Sequence, residues 1–250
     1  MSIYNVLMSF FIYGFFGWCA EVIFAAVRER RFVNRGFLNG PICPIYGLGV
    51  TLVVSLLMDF RENSVLLYIA SVILVTVLEG VTGYLLEKIF HARWWDYSNM
   101  PLNIGGYVCP LFSMVWGIAC VLIVDFVHPL TMKIVSFLPF GLGCVLLILF
   151  CIGVIADIYV TAASILKMNR RLSAMHDIAE KLHDLSDEIG ENIYENVMEM
   201  MENRDELIQK YHEMAEMIQT KNHRILEAFP KIDFKKHQDI INYIKSKRKK

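Results

Sequence analysis

The sequence predicts an all-α membrane protein: a bundle of five transmembrane helices, a tandem two-helix repeat plus one, followed by a long coiled-coil-like helical tail. Three observations carry that expectation. Of 250 residues, 56% are hydrophobic and mean hydropathy is +0.45, unlike a water-soluble globular domain. Charge is segregated: residues 1–163 hold 8 Lys/Arg and 9 Asp/Glu, whereas the last 87 hold 16 of each. Finally, five apolar runs reach the ~20 residues needed to cross about 30 Å of hydrocarbon, and all five are expected to span.

The runs are 3–27, 41–60, 65–86, 104–126 and 138–163, which define a transmembrane domain over 1–163. The first is too long for a signal-peptide core and is followed, not preceded, by Arg28, Arg30, Arg31 and Arg35, so it is expected to be retained. Lys and Arg mark the cytoplasmic side of short loops. The segments after the first, third and fifth runs carry nine of them, counting Lys88, Arg93, Lys167, Arg170 and Arg171, against only Arg61 and Lys133 on the other side. The expected placement is the cell membrane, with the N-terminus outside and the C-terminus in the cytoplasm. The six cysteines fall in or at the edges of the runs, which argues against a structural disulfide framework.

A shift of 66 residues superposes Gly14, Gly17, Glu21, Ile23 and Phe24 on Gly80, Gly83, Glu87, Ile89 and Phe90. The same shift carries Gly40, Cys43 and Pro44 onto Gly106, Cys109 and Pro110. One register holding across two helices and a loop predicts a repeat, about 14–60 and 80–126, whose copies share one orientation. Asn39, Gly40, Cys43, Pro44 and Gly106, Cys109, Pro110 thus mark two helix entries, where Pro in a first turn loses no intrahelical bond. Glycines at i and i+3 suit close helix packing in lipid.

Ionisable groups in spanning helices are costly and usually face a bundle interior or water. Here they are Glu21, Glu79 and Asp157, with Glu87 at a helix end. The first three are expected about 10 Å inside the cytoplasmic boundary, given 1.5 Å per helical residue. A substrate or ion pathway is one reading; hydrogen-bonding to neighbouring helices, or pairing with loop arginines, is the other. The loop after the third run carries Arg93, Trp94, Trp95, Asp96, Tyr97, Ser98 and Asn103. Interfacial anchoring explains its aromatics, but a re-entrant or lid-like segment would also account for Asp, Ser and Asn beside them.

These residues carry a resemblance. Gly17 to Phe24 around Glu21, Leu38 to Gly47, Glu79 with Thr82-Gly83, and Trp95-Asp96-Tyr97-Ser98 followed by Asn103 and Gly106 resemble the bacterial CmpB family of ABC-transporter type IV permeases, and a related set of animal transmembrane proteins. The likeness covers roughly residues 5–160. It implies a permease-like protein with Glu21, Glu79, Trp95, Asp96, Tyr97 and Ser98 as its functional cluster.

From Ser164 to Phe229 there is no proline, and apolar residues recur in steps of 3 and 4: Ile178, Leu182, Leu185, Ile189, Ile193, Val197, Met200, with three successive steps of 4 around Gly190. A helix this long is expected to pair with itself as a hairpin or with a second chain. Residues 230–250 read as a basic C-terminal tail, whose Lys245, Lys247, Arg248, Lys249 and Lys250 either adsorb on anionic lipid or simply solubilise the chain end.

A net charge of -1 argues against nucleic acid as a partner, and no Gly-rich loop ending in Lys and Ser/Thr is present, so ATP hydrolysis would belong to another subunit. No Cys-x-x-Cys pair supports a metal centre from Cys43, Cys109 and His91, and nothing places a histidine as base for a cysteine nucleophile. No metal, cofactor or catalytic residue is assigned. The expected partners are membrane lipids and either a second copy, through the tail, or a separate ATPase or membrane subunit. A permease subunit moving an unidentified solute leads. An enzyme or accessory protein acting on lipid or lipid-linked substrate, and a sensor or scaffold presenting a coiled coil, are the alternatives.

Overall fold

The computed structural model describes the backbone of residues 1–191, 197–234 and 237–247, and side chains outside 185–200, 202, 235–236 and 247–250. The chain divides into two compact units, residues 1–89 with 93–161, and residues 90–92 with 162–250.

In the first unit, α1 spans Ile3–Glu29, α2 Pro44–Leu56 and α3 Ser64–Phe90. Then α4, Pro110–Leu122, passes through a π-helical turn, Ile123–Val127, into α5, His128–Ser136. The sixth helix, α6, starts at Phe140 and continues to Glu191. Among the described residues, four stretches are long and apolar enough to cross a membrane: Ile3–Glu29, Ser64–Phe90, Pro110–Ser136 and Phe140–Asp184. Less than a third of each one's apolar window is buried within the protein, so the outer faces are hydrocarbon-like. Two small clusters make the interior. Val53 and Val54 of α2, with Leu57 just after it, meet Leu67, Cys120 and Val124; Met8 and Phe11 of α1 meet Val135 and Leu147.

Several expectations are corrected. The run 41–60 yields a helix of only 13 residues, about 20 Å long, short of the ~30 Å hydrocarbon core. The fourth span begins at Pro110, not 104, because Ile104 and Val108 instead close an isolated antiparallel bridge around Gly105 and Gly106. It also continues to Ser136, past the expected end at 126: the π-helical turn Ile123–Val127 lies just before Pro129, which removes one backbone bond inside the continuing helix. Both α2 and α4 start on the Cys-Pro pairs, 66 residues apart, each after a cysteine in extended conformation.

In the second unit, Ile165, Met168, Leu172, Met175 and Ile178 form a buried stripe on α6. Asn222, just after α7 (Val197–Lys221), donates to the carbonyl and hydroxyl of Ser164, so α7 returns antiparallel to α6. Of the two expected pairings, this is the hairpin. The expected basic tail is instead mostly helix: after α8 (His223–Ala228), α9 covers Gln238–Lys247 and buries Ile240, Ile241 and Ile244. Lys245 is half-buried and donates to the Pro230 carbonyl, and burial holds its ammonium below its usual pKa. It is therefore not a free lipid-binding cation. The expected heptad position Ile193, and Arg248, Lys249 and Lys250, lie outside the described residues, as do the side chains of Leu185, Ile189, Val197, Met200 and Lys247.

Candidate functional site

The site is made by two loops that turn back along the helices they leave. Residues after α1 return until the Cys43 amide donates to the carbonyl of Gly14 at 2.9 Å, fifteen residues before the end of α1, which is about 22 Å along its axis. Close approach here requires glycine. A Cβ on Gly17 would overlap the Tyr46 ring, and one on Gly47 would lie 2.5 Å from the Phe10 carbonyl oxygen. The gap left by Gly17 seats Tyr46, whose hydroxyl donates to Glu21 at 2.7 Å. Arg35, from the loop, lies 3.5 Å from the other oxygen of Glu21 and over the Phe24 ring.

The loop between α3 and α4 does the same. Trp95 packs against Gly83 and its indole N–H donates to the Tyr107 carbonyl at 2.8 Å. Tyr97 stacks near Phe112 and its hydroxyl reaches Glu79 at 3.3 Å, eleven residues before the end of α3, about 17 Å along it. Among the described residues, the second oxygen of Glu79 is buried with no hydrogen-bond partner. Burial, then the charge of Glu79, pushes the Tyr97 hydroxyl's pKa up, and Glu21 is close enough to add to the effect. Tyr97 packs 5.2 Å from the ring of Phe112 and Tyr46 5.4 Å from that of Trp116, one turn further along the same face of α4, so the two carboxylate–tyrosine pairs are neighbours.

Glu87, which the 66-residue shift aligns with Glu21, lies elsewhere in this scheme: it binds Arg93 at 2.6 Å. Arg93 also approaches Asp96 at 3.6 Å and covers the Tyr107 ring. Asp96 accepts from both the hydroxyl (2.5 Å) and the amide (2.9 Å) of Ser98, bonds that hold its carboxyl below the usual range. Asn103 donates to the carbonyls of Ser98 and Met100 and accepts from the Gly106 amide. Gly106 has φ +77°, and a Cβ there would lie 2.6 Å from Asp96 and Ser98, so only glycine closes this turn. Trp94 is buried against Phe37.

Asp157 stands apart from the two pairs. Its carboxylate accepts from the amides of Asn39 and Gly40 at 3.1 and 2.7 Å, from the Asn39 side chain at 2.7 Å and from the Thr161 hydroxyl at 3.1 Å. Asn34 completes this loop, accepting from Trp18 and donating to the Asn39 carbonyl. Pro44 and Pro110 open α2 and α4.

Sequence reasoning missed Tyr46, and it foresaw pairing of the acids with loop arginines without singling out Arg35. Tyr46 belongs to the Leu38–Gly47 motif, but the repeat pairs it with Phe112, which conceals a hydroxyl with no counterpart. Arg35 counted toward orientation rather than as a partner of Glu21.

A model of the family described as "Putative ABC-transporter type IV", CmpB, matches residues 8–162. This chain belongs to that family. The CmpB match ends at the end of the first unit, so both carboxylate–tyrosine pairs, both loops and Asp157 lie inside it, and the second unit beyond residue 162 lies outside. This CmpB protein is thus a membrane protein of the ABC-transporter type. No curated protein and no solved structure matches the chain.

Proposed function

We propose that this CmpB protein is a permease-like subunit, and that Glu21–Tyr46 and Glu79–Tyr97 are the polar part of the path its solute takes. The observation that carries this is the convergence of two helix carboxylates, each hydrogen-bonded to a tyrosine, from separate helices that are otherwise apolar. Groups of this kind in spanning helices are expensive to bury, and their usual use is a substrate or ion route. The chain is in the cell membrane with its N-terminus outside and its C-terminus in the cytoplasm, a reading supported by the nine-to-two distribution of Lys and Arg. In that orientation α2 makes the second of five crossings, with the loop before it supplying the rest of the membrane depth. The 66-residue duplication, supported by the matched starts of α2 and α4, produced both loops. Energy comes from a separate ATPase, and the assembly contains a second copy or another membrane subunit.

The test is crosslinking and copurification from native membranes, followed by ATP hydrolysis of the recovered complex in lipid vesicles. Glu21→Gln with Glu79→Gln is expected to cut turnover at least tenfold at unchanged expression. Recovery without any ATPase, or full turnover in the double variant, sinks the reading.

A further inference from the structure

The second unit contains a groove that the transport reading does not use. It is a cavity of about 390 Å³, open at the surface and bounded by α6, α7 and α9, within the size range of small-ligand sites. Its lining combines aromatic rings with the aliphatic Ala179, Leu182 and Ile208. Tyr243 of α9 lies 5.6 Å from the ring of Tyr211 and 6.5 Å from that of His212, nearly parallel to the latter at 16°; His176 of α6 contributes a third side. Ile240 lines the groove and is buried. Asp239 is the carboxylate in the lining, and the imidazoles carry charge only when protonated.

We propose that this groove binds a small organic cation of the quaternary-ammonium type. Aromatic faces attract such cations through their quadrupoles, and the ring faces can do so without stripping away a tightly held hydration shell. Asp239 supplies the opposite charge. Among the described residues, Lys210 of α7 is bonded to Glu206 at 2.6 Å and Lys245 of α9 to the Pro230 carbonyl at 2.9 Å, so neither is drawn to Asp239. A metal ion fits the lining less well, since among the described residues no group of three His, Cys, Asp or Glu is arranged to hold one. The inference is independent of the transport reading, because every residue it uses lies in the second unit and outside the family match.

The experiment uses the full chain in phosphatidylglycerol nanodiscs. Choline chloride and tetramethylammonium chloride are titrated by calorimetry, with potassium chloride at the same ionic strength as control. Saturable binding of both organic cations and none of potassium is expected. Asp239→Asn and Tyr243→Leu each weaken it about tenfold, while Tyr243→Phe, which keeps the ring and the fold, retains it. Adding phosphatidylcholine vesicles separates the sources: displacement of choline assigns the site to a lipid headgroup, and no displacement to a free solute. Absence of saturable binding, or binding unchanged in Asp239→Asn with native circular dichroism, overturns the proposal.

Discussion

Residues 30–43 and 91–109 both turn back along the helix they leave, and both must satisfy backbone polar groups beside apolar helices. They do so with different chemistry. The first loop borrows its acceptor from a distant helix: Asp157 of α6 takes the amides of Asn39 and Gly40. The second supplies its own, through Asp96, Asn103 and the Gly106 turn. Irregular backbone at membrane depth is tolerated only where protein or a cavity satisfies it, so each loop needs its device. The difference is that the first loop depends on the docking of α6, whereas the second carries most of its bonds within itself, with Glu87 as an added tether through Arg93.

Removing the borrowed acceptor should have the largest effect. Asp157→Ala strands the Asn39 and Gly40 amides together and is expected to destabilise the membrane unit by about 2–4 kcal/mol, since hydrogen bonds to a charged group contribute about 1.5–3 kcal/mol each and are not additive. Trypsin should then cut at Arg30, Arg31 or Arg35 in the purified protein at a temperature where the wild type resists; equal resistance would show that the loop does not depend on α6. Next comes Gly17→Leu, which evicts Tyr46 from the face of α1; overpacking of this kind costs about 1–3 kcal/mol. It should lower the thermal unfolding midpoint more than Gly153→Leu, whose position has no neighbour within 4 Å. Asn103→Ala removes the clasp of the second loop for about 1–2 kcal/mol, and should speed hydrogen exchange at the Gly106 amide while leaving the first loop's exchange unchanged.

The smallest effect is on pH. Asp96 has a lowered pKa in the folded protein, owing first to the Ser98 hydroxyl and then to its amide. Its contribution is therefore complete above the unfolded value of about 3.9 and is lost as pH falls through the lower folded one. Tryptophan fluorescence should report a loosening of the second loop below about pH 4. The change should be absent in Asp96→Asn, and a transition of the same size in that variant would assign it to another group.

Much of this organisation is legible in the sequence. Apolar runs mark four spans because hydropathy reports length directly, and the Cys-Pro pairs mark the true starts of α2 and α4. The runs place those starts three and six residues too early, because Ile104, Tyr107 and Val108 are as apolar as a helix; the Gly105-Gly106 pair, with φ of +61° and +77°, was the signal that they turn instead. Asp157's role is not legible, since its partner lies 118 residues away and nothing local distinguishes a backbone acceptor from a solute ligand. Repeat logic paired Glu21 with Glu87, whereas geometry splits Glu21's two contacts: Glu79 has the tyrosine and Glu87 the arginine. In the tail, charge at the end of the chain drew attention from Ile240, Ile241 and Ile244, whose spacing already described one buried helical stripe.

The seating of Tyr46 over Gly17, with Gly47 against the Phe10 backbone, interlocks α1 and α2 like meshed teeth. Teeth of that kind do not slide by fractions; displacement along the axis would have to advance by about 5.4 Å, a whole helical turn, and would break the Cys43–Gly14 bond on the way. In any working cycle α1 and α2 therefore travel as one rigid body, and the moving joint has to fall at this pair's borders with the remaining helices.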